Sequence, residues 1–217
     1  MESVALEVGH DLTQVLPVND GHSVDECLEF REFGGSDITD DLMRLLDKKY
    51  NEFTMAHRRH EMNETCGYVA RDYEAEEKAV EEEKYYLPDG TPLILAKEKC
   101  QCTELLFKVN RRVDKGIHNL IIKALHLSPT LVADVNLQKT MASNIVLGGG
   151  STLFLGLALR VKKTAEDFVG GTVTVYEGGG PRSAIIGGRV LAQLPDFREK
   201  LEYDEEAGMD EILRKRI

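Results

Sequence analysis

The sequence predicts an α/β protein built on a mixed sheet with flanking helices, and three observations carry that expectation. Residues 4–18 read as two short alternating strands joined by a tight turn at Gly9-His10-Asp11. A second hairpin is expected where Leu87-Pro88-Asp89-Gly90-Thr91 separates Tyr85-Tyr86 from Leu93-Ile94-Leu95. Asn144-Ile145-Val146-Leu147 then reads as a short buried strand that runs into Gly148-Gly149-Gly150-Ser151-Thr152 and on into a helix. Hairpins give antiparallel neighbours and strand-to-helix units give parallel ones, so a sheet containing both follows.

The remaining elements come from apolar spacing and punctuation. Gly34-Gly35 breaks the chain, Ser36 is placed to cap a helix, and Ile38, Leu42, Leu45 and Leu46 fall on one face of it. A second helix over residues 54–73 would bury Met55, Met62, Cys66 and Val69. The acidic run over residues 72–83 reads as a solvated helical face or a loop, with an interaction tail as the alternative. Residues 114–126 carry Ile117, Leu120, Ile121, Ala124 and Leu125 at helical spacing. The helix after the glycine run should turn Leu155, Leu159 and Val161 inward. Residues 172–176 form another strand, and Ser183 to Gly188 lead into a helix through Val190, Leu191 and Leu194. The strand, glycine turn and helix at Gly148 suit an anion or a flat base, since bare amides at a helix start can face either. The alternative is a tight turn that merely packs helix on sheet.

Composition narrows the function classes. The 217 residues are 42% hydrophobic, enough for one or two globular cores. A formal charge of -11 and a pI near 5.1 argue against nucleic acid or an anionic membrane as partner, because both need clustered positive charge. Met-Glu-Ser-Val-Ala-Leu-Glu lacks the basic and apolar regions of a secretory signal, so the cytosol is expected. Cys27, Cys66, Cys100 and Cys102 form no even framework, and Cys100-x-Cys102 is too close for a zinc knuckle, so free thiols are expected. His57 and His60 sit three apart but have no third ligand in view, and they read as exposed surface rather than a metal pair. Residues 140–159 contain no formal charge over a membrane-spanning length, yet they hold Ser143, Asn144, Ser151 and three consecutive glycines, whose backbone hydrocarbon would leave unsatisfied.

Five segments, in order, resemble the actin family. They are Asp37-Ile38-Thr39-Asp40-Asp41-Leu42-Met43, Leu87-Pro88-Asp89-Gly90, Asn144 to Thr152, Ile185-Ile186-Gly187-Gly188-Arg189-Val190-Leu191-Ala192, and Glu202-Tyr203-Asp204-Glu205. The resemblance implies an actin-like, ribonuclease H-like mixed sheet with flanking helices, incomplete here, because it starts at the family's second phosphate loop. The first phosphate hairpin and the small outer subdomain that precede that loop in a full-length member are then expected to be missing. It also implies a large-lobe core from residues 1–35 and 107–182, an outer inserted helical subdomain with the acidic run at 36–106, and C-terminal helices of the other lobe at 183–217.

Actin-family proteins hold ATP and a divalent cation in a cleft between two halves. By resemblance, Gly149, Gly150 and Ser151 match the adenine-side loop, Leu153 and Phe154 pack near the base, and Glu64 matches an acidic residue at the ribose. Gly35 falls with these on the nucleotide side. The phosphate hairpin departs from the family's Asp-x-Gly-x-Gly-x-Thr, reading Glu7-Val8-Gly9-His10-Asp11-Leu12-Thr13, so that Glu7, Gly9 and Thr13 remain usable. Asp11 brings a carboxylate where backbone should approach phosphate. Gln14 stands where a family histidine orients water, and glutamine cannot relay a proton. His60 and Asn63 replace an arginine and a lysine. The resemblance therefore implies ATP or ADP with magnesium held weakly or not at all, and no catalytic residues.

Two readings compete. The first is an actin-like cytoskeletal scaffold or filament subunit in the cytoplasm, with the nucleus as the alternative place. Its protein partners would dock amphipathic helices on a groove lined by Ile186, Val190, Leu191 and Leu194, although these side chains would equally serve as a helix core. The second is a divergent or split ATPase of the actin and sugar-kinase superfamily, completed by another chain. The resemblance also suggests an exposed apolar patch that includes Val4, Leu6, Ile186, Val190 and Leu194.

Overall fold

The structure is a computed structural model that describes residues 2–50, 59–87, 90–108, 116–127 and 134–195, without the side chains of residues 59–61 and 63. Expectations for Met55, His57, Pro88, Asp89, Asp114 and the Glu202 to Glu205 segment, and for the His60 and Asn63 side chains, lie outside the described residues. The chain divides into two compact units, Met1–Pro181 and Arg182–Ile217.

The first unit is organised by β1 (Ser3–Val8), whose alternating sequence buries Val4, Leu6 and Val8 on one face. Through the turn after Val8 the chain returns antiparallel as β2 (Thr13–Asn19), pairing Leu6 with Val15 and Val8 with Thr13. On its other side β1 runs parallel to β7 (Asn144–Gly148), pairing Val4 with Ile145 and Leu6 with Leu147, and β7 runs parallel to β8 (Thr174–Glu177). The outer side of β2 carries two short strands, β3 (His22–Ser23) at Val18 and Asn19 and β4 (Glu29–Arg31) at Thr13 to Val15. Pro17, which has no N–H to give, falls in the gap between them. The result among the described residues is a six-stranded sheet in the order β3-β2-β1-β7-β8, with β4 beside β2, both antiparallel and parallel as expected. A separate hairpin joins β5 (Glu83–Tyr86) to β6 (Pro92–Leu95).

Helices are placed by their apolar faces. In α1 (Gly35–Tyr50), Ile38, Leu42 and Leu46 repeat every four residues and are buried, with Leu45 partly so. Ser36 lies inside this helix rather than capping it, and its hydroxyl donates to His10 O at 3.0 Å and to Asp11 Oδ1 at 2.9 Å. The second helix is shorter than expected: α2 (Arg59–Cys66) stops before Gly67, because Tyr68 forms a parallel bridge to Leu155 and Val69 N donates to Leu155 O at 2.8 Å. Met62 and Val69 are buried, Val69 from outside the helix. The acidic run folds as α3 (Tyr73–Ala79), capped by Asp72 accepting from Ala75 N, with Glu76 accepting in return from the Arg71 and Asp72 amides.

A single turn of helix, α4 (Glu98–Gln101), follows β6. Helix α5 (Ile117–Leu127) buries Ile117, Leu120, Ile121, Ala124 and Leu125 against β2 and β4. Helices α6 (Val135–Ala142) and α7 (Leu157–Val169) complete that core through Met141, Ala142, Leu157, Val161 and Ala165. Here the expectation needs correction: Leu155 precedes α7 and is 78% exposed, and Leu159 is 60% exposed. The inward stripe is set by Leu157 and recurs four residues apart, which puts a residue two along on the far side of the helix. Val4 and Leu6 are likewise no part of an exposed patch, since both are wholly buried in the sheet core. None of the four cysteines is joined in a disulfide, and no helix among the described residues is long and apolar enough to cross a membrane.

In the second unit, the residues from Ser183 through Gly188 are themselves helical, in α8 (Ser183–Leu191), which buries none of its side chains. Ile185, Ile186, Val190, Leu191 and, just beyond the helix, Leu194 are all exposed.

Buried carboxylates tie elements distant in sequence. Arg160 of α7 donates to Glu104 Oε1 at 3.1 Å and to the carbonyls of Ala70 and Arg71, and Lys123 of α5 reaches Glu29 at 2.6 Å. Glu98 closes the end of α1 onto β6: it accepts from Lys49 Nζ at 3.0 Å and from Ala96 N at 2.8 Å, while the Tyr50 hydroxyl donates to Ile94 O and accepts from Ile94 N. Burial opposes the charge on Glu98, yet the Ala96 amide and Lys49 more than offset it and hold its pKa below the usual carboxylate range. A lowered folded pKa lends stability that is present above the ordinary glutamate pKa and lost as pH falls through the lowered value. Glu98→Gln should therefore cost roughly 1.5–3 kcal/mol near neutrality. In urea unfolding across a pH series, the gap between wild type and variant should close as the solution is acidified. A constant gap would show that Glu98 contributes packing alone.

Candidate functional site

The site forms where three backbone segments meet. The turn after β1 is closed by Gly9 N donating to Leu12 O at 2.8 Å, and the first residues of α1 dock on it, Gly35 N donating to Gly9 O at 2.9 Å and Ser36 N to His10 O at 2.8 Å. Such an approach leaves no room for side chains: a Cβ on Gly34 would sit 2.4 Å from His10 O, and one on Gly35 2.7 Å from Ser151 Oγ. The third segment follows β7. Gly149 has a φ of 86° and would bring a Cβ to 2.4 Å from Val8 O, so only glycine suits it. Its amide donates to Gly180 O at 3.1 Å, and Ser151 Oγ donates to Gly9 O at 3.1 Å.

These segments and the end of α2 enclose a cavity of about 960 Å³. Of the residues expected at a nucleotide, Glu7, Gly9, Gly35, Glu64, Gly149, Gly150, Ser151, Leu153 and Phe154 all line it. Thr13 does not; it is buried and its hydroxyl donates to Phe33 O at 2.8 Å, fastening the hairpin to the residue before Gly34. Gly150 differs from Gly149 in that a Cβ there would meet nothing within 4 Å, so packing does not require glycine and the wall is simply left flat.

The cavity also takes in residues that no local sequence signal marks, among them His10, Cys66, Tyr68, Glu83 and Lys99. Glu83 and Lys99 reach it only because the β5–β6 hairpin and α4 fold back, and Lys99 Nζ lies 2.8 Å from Glu83 Oε2. Tyr68 is brought in by its bridge to Leu155. Burial, with Glu83 adding to it and Lys99 opposing, raises the Cys66 pKa and keeps that thiol protonated and unreactive. Burial likewise raises the Tyr68 pKa, as does the hydrogen bond with Cys100, so Tyr68 contributes a neutral ring.

The hairpin side chains are engaged with one another. Gln14 donates through Nε2 to Glu7 Oε2. Asp11, expected to confront a phosphate directly, does not line the cavity; its carboxylate is 78% exposed, accepts from Ser36 Oγ and lies 3.7 Å from His10 Nε2. The glycine wall stands in the lining together with Leu153, Phe154 and Glu64. Lys99 is paired with Glu83, and Glu7 and Glu64 add two further carboxylates to the lining. Among the described residues no three His, Cys, Asp or Glu side chains gather as a metal site. The groove residues Ile186, Val190, Leu191 and Leu194 belong to the second unit.

Comparison with known proteins gives the same family over the whole chain. A family model described as actin matches residues 1–217. Centractin of Schizosaccharomyces pombe is 33% identical over 229 residues, covering 99% of this chain and 59% of that protein. Actin-like protein 7A of Homo sapiens is 28% identical over 215 residues, covering 93% of this chain and 48% of that protein, and the Mus musculus protein of the same name is 29% identical over the same lengths. The chain thus spans about half to three fifths of the curated relatives it matches. With its mixed sheet and flanking helices in an actin-like arrangement, this chain belongs to the actin family.

Proposed function

We propose that this chain acts as an actin-like structural or scaffold subunit of the cytoplasm and cytoskeleton, with a nucleotide cavity kept in shape but altered in chemistry. The observation that carries this reading is the closed pairing of charged and polar groups around the cavity: Gln14 with Glu7, and Glu83 with Lys99. Family members bind ATP or ADP with magnesium, and phosphoryl transfer depends on cations and donors free to meet the phosphates. Here Lys99 is held by a carboxylate, and glutamine cannot take a proton from water. The inner core, outer subdomain and C-terminal helices at 1–35 with 107–182, 36–106 and 183–217 belong to the same proposal. A second reading, an ATPase completed by another chain, draws on His10, which lines the cavity with Asp11 beside it and would supply a proton acceptor.

Calorimetric titration with Mg-ATP should find binding weaker than micromolar, short of about -8 kcal/mol. The double variant Asp11→Gly with Gln14→His should release no more phosphate than the unmodified chain, because Lys99 stays paired. Tighter binding, or phosphate release that His10→Ala abolishes, would favour the ATPase.

In the scaffold reading, protein partners meet the exposed face of α8, where Ile186, Val190, Leu191 and Leu194 would accept an amphipathic helix. Light scattering should then report self-association or aggregation together with binding of a hydrophobic dye. Replacing Val190 and Leu194 by glutamate should reduce both severalfold. Unchanged mass and dye signal in that variant would place the sticky surface elsewhere.

A further inference from the structure

We propose that a second, smaller cavity in the seam between α5 and α7 binds a small neutral molecule whose apolar body carries one hydrogen-bond acceptor, and that the His118 ring supplies the matching donor. The inference is independent of the nucleotide-type cavity and of the scaffold reading, so its failure touches neither.

Helical spacing builds the walls. Val161, Thr164, Ala165 and Phe168 recur at i, i+3, i+4 and i+7 along one face of α7, while Ile117, His118, Ile121 and Ile122 form the opposing stripe of α5. Phe107 and Ala142 complete the lining. Phe168 is 43% exposed, so this wall reaches solvent and leaves a way in. The cavity holds about 50 Å³, roughly four times the least volume that admits a water, which suits a body of about six heavy atoms. No charged side chain stands among the described lining residues, so an ionic ligand would lose its hydration there without a counter-charge.

One donor in this lining has no partner. Asn119 Nδ2 lies 2.9 Å from His118 Nε2. An amide nitrogen only donates, so Nε2 accepts and the ring's proton sits on Nδ1. Burial, with the Arg160 charge adding to it, lowers the His118 pKa and keeps the ring neutral. Nδ1 is buried and makes no hydrogen bond among the described residues. The ring has little freedom to turn away, since Gly116 packs so close that a Cβ there would stand 2.8 Å from His118 Cε1. A donor buried unpaired is unfavourable, and an acceptor that reaches it recovers the loss, which is how a single polar group orients a ligand in an apolar pocket.

Water is the poorer occupant. The Thr164 hydroxyl gives its hydrogen to Arg160 O at 2.8 Å, so among the lining side chains a water can accept from His118 Nδ1, donate to Thr164 Oγ1 and meet nothing further. Buried waters typically make about three hydrogen bonds, and the rest of this wall is hydrocarbon. A ring or short chain with one carbonyl oxygen covers the hydrocarbon and meets the donor together.

The test is NMR titration of the whole chain with cyclopentanone, and with cyclopentane as the same ring without an acceptor. Cyclopentanone should shift the methyl resonances of Ile121, Ile122 and Val161 saturably at millimolar concentration and move the His118 Nδ1 proton downfield. Cyclopentane should shift the methyls and leave that proton in place. His118→Phe, which keeps a ring and removes the donor, should weaken cyclopentanone roughly tenfold and leave cyclopentane within about twofold. Ala165→Leu should block both ligands by filling the space. Methyl shifts that do not saturate with cyclopentanone, an Nδ1 proton unmoved at saturation, or equal losses for the two ligands in His118→Phe would each overturn the proposal. Should His118→Phe fail to fold, the Nδ1 proton decides alone, since it is read in the unaltered chain.

Discussion

The fold turns on one crowded point, the carbonyl of Gly9. It accepts from the amide that opens α1 and from the hydroxyl of Ser151, thereby joining segments that lie more than a hundred residues apart. That meeting is one of backbones, and it tolerates no Cβ at Gly34 or Gly149 without collision with a carbonyl oxygen. A turn pinned from two sides, by the Gly35 amide and the Ser151 hydroxyl, cannot drift, so the walls of the cavity are set mainly by main-chain geometry with one side-chain tie. This explains how the hairpin can carry Glu7, Asp11 and Gln14 and still keep its shape. The chemistry of such a site changes independently of its form.

Charge is handled by the same economy. Glu29, Glu98 and Glu104 are buried, and each is answered by a cation on an element distant in sequence: Lys123, Lys49 and Arg160. Breaking such a pair is costly because it strands a charge away from water. Glu104 shows the limit of the arrangement: burial raises its pKa despite Arg160 and Lys108, and its Oε2 has no hydrogen-bond partner among the described residues. Arg160 also donates to the carbonyls of Ala70 and Arg71, so it acts as a three-way tie between α7, the segment before α3 and the buried turn at Glu104. In the cavity, Lys99 pairs with Glu83, whose side chain, unlike those of Glu29, Glu98 and Glu104, is exposed.

Much of the fold was legible in the sequence because its signals are local. Alternation in residues 3–8 and 13–19, the four-residue spacing of Ile38, Leu42 and Leu46, and the strand before Gly148 all depend on near neighbours. Leu155 and Leu159 were misplaced because a leucine before or on a helix does not declare which residue starts the inward stripe; the bridge from Tyr68 and the position of Leu157 decide it. The same bridge ends α2 earlier than its composition suggests. At the cavity, the residues tied to family motifs were visible, whereas Glu83 and Lys99 were not. Their arrival depends on a hairpin folding back over a long stretch of chain, and no spacing rule records that. The motif predicts Thr13 at the ligand; in the structure its hydroxyl donates to Phe33 O and the residue does not line the cavity.

The central claim, that backbone docking at Gly9 fixes the cavity whatever its side chains, is most directly tested by native-state hydrogen exchange at the amides of Gly35 and Ser36. The account predicts that both exchange only with the unfolding that also exposes β1, because each donates to a carbonyl of the hairpin turn inside the main core. Exchange at rates close to those of an open loop, while β1 stays protected, would contradict it.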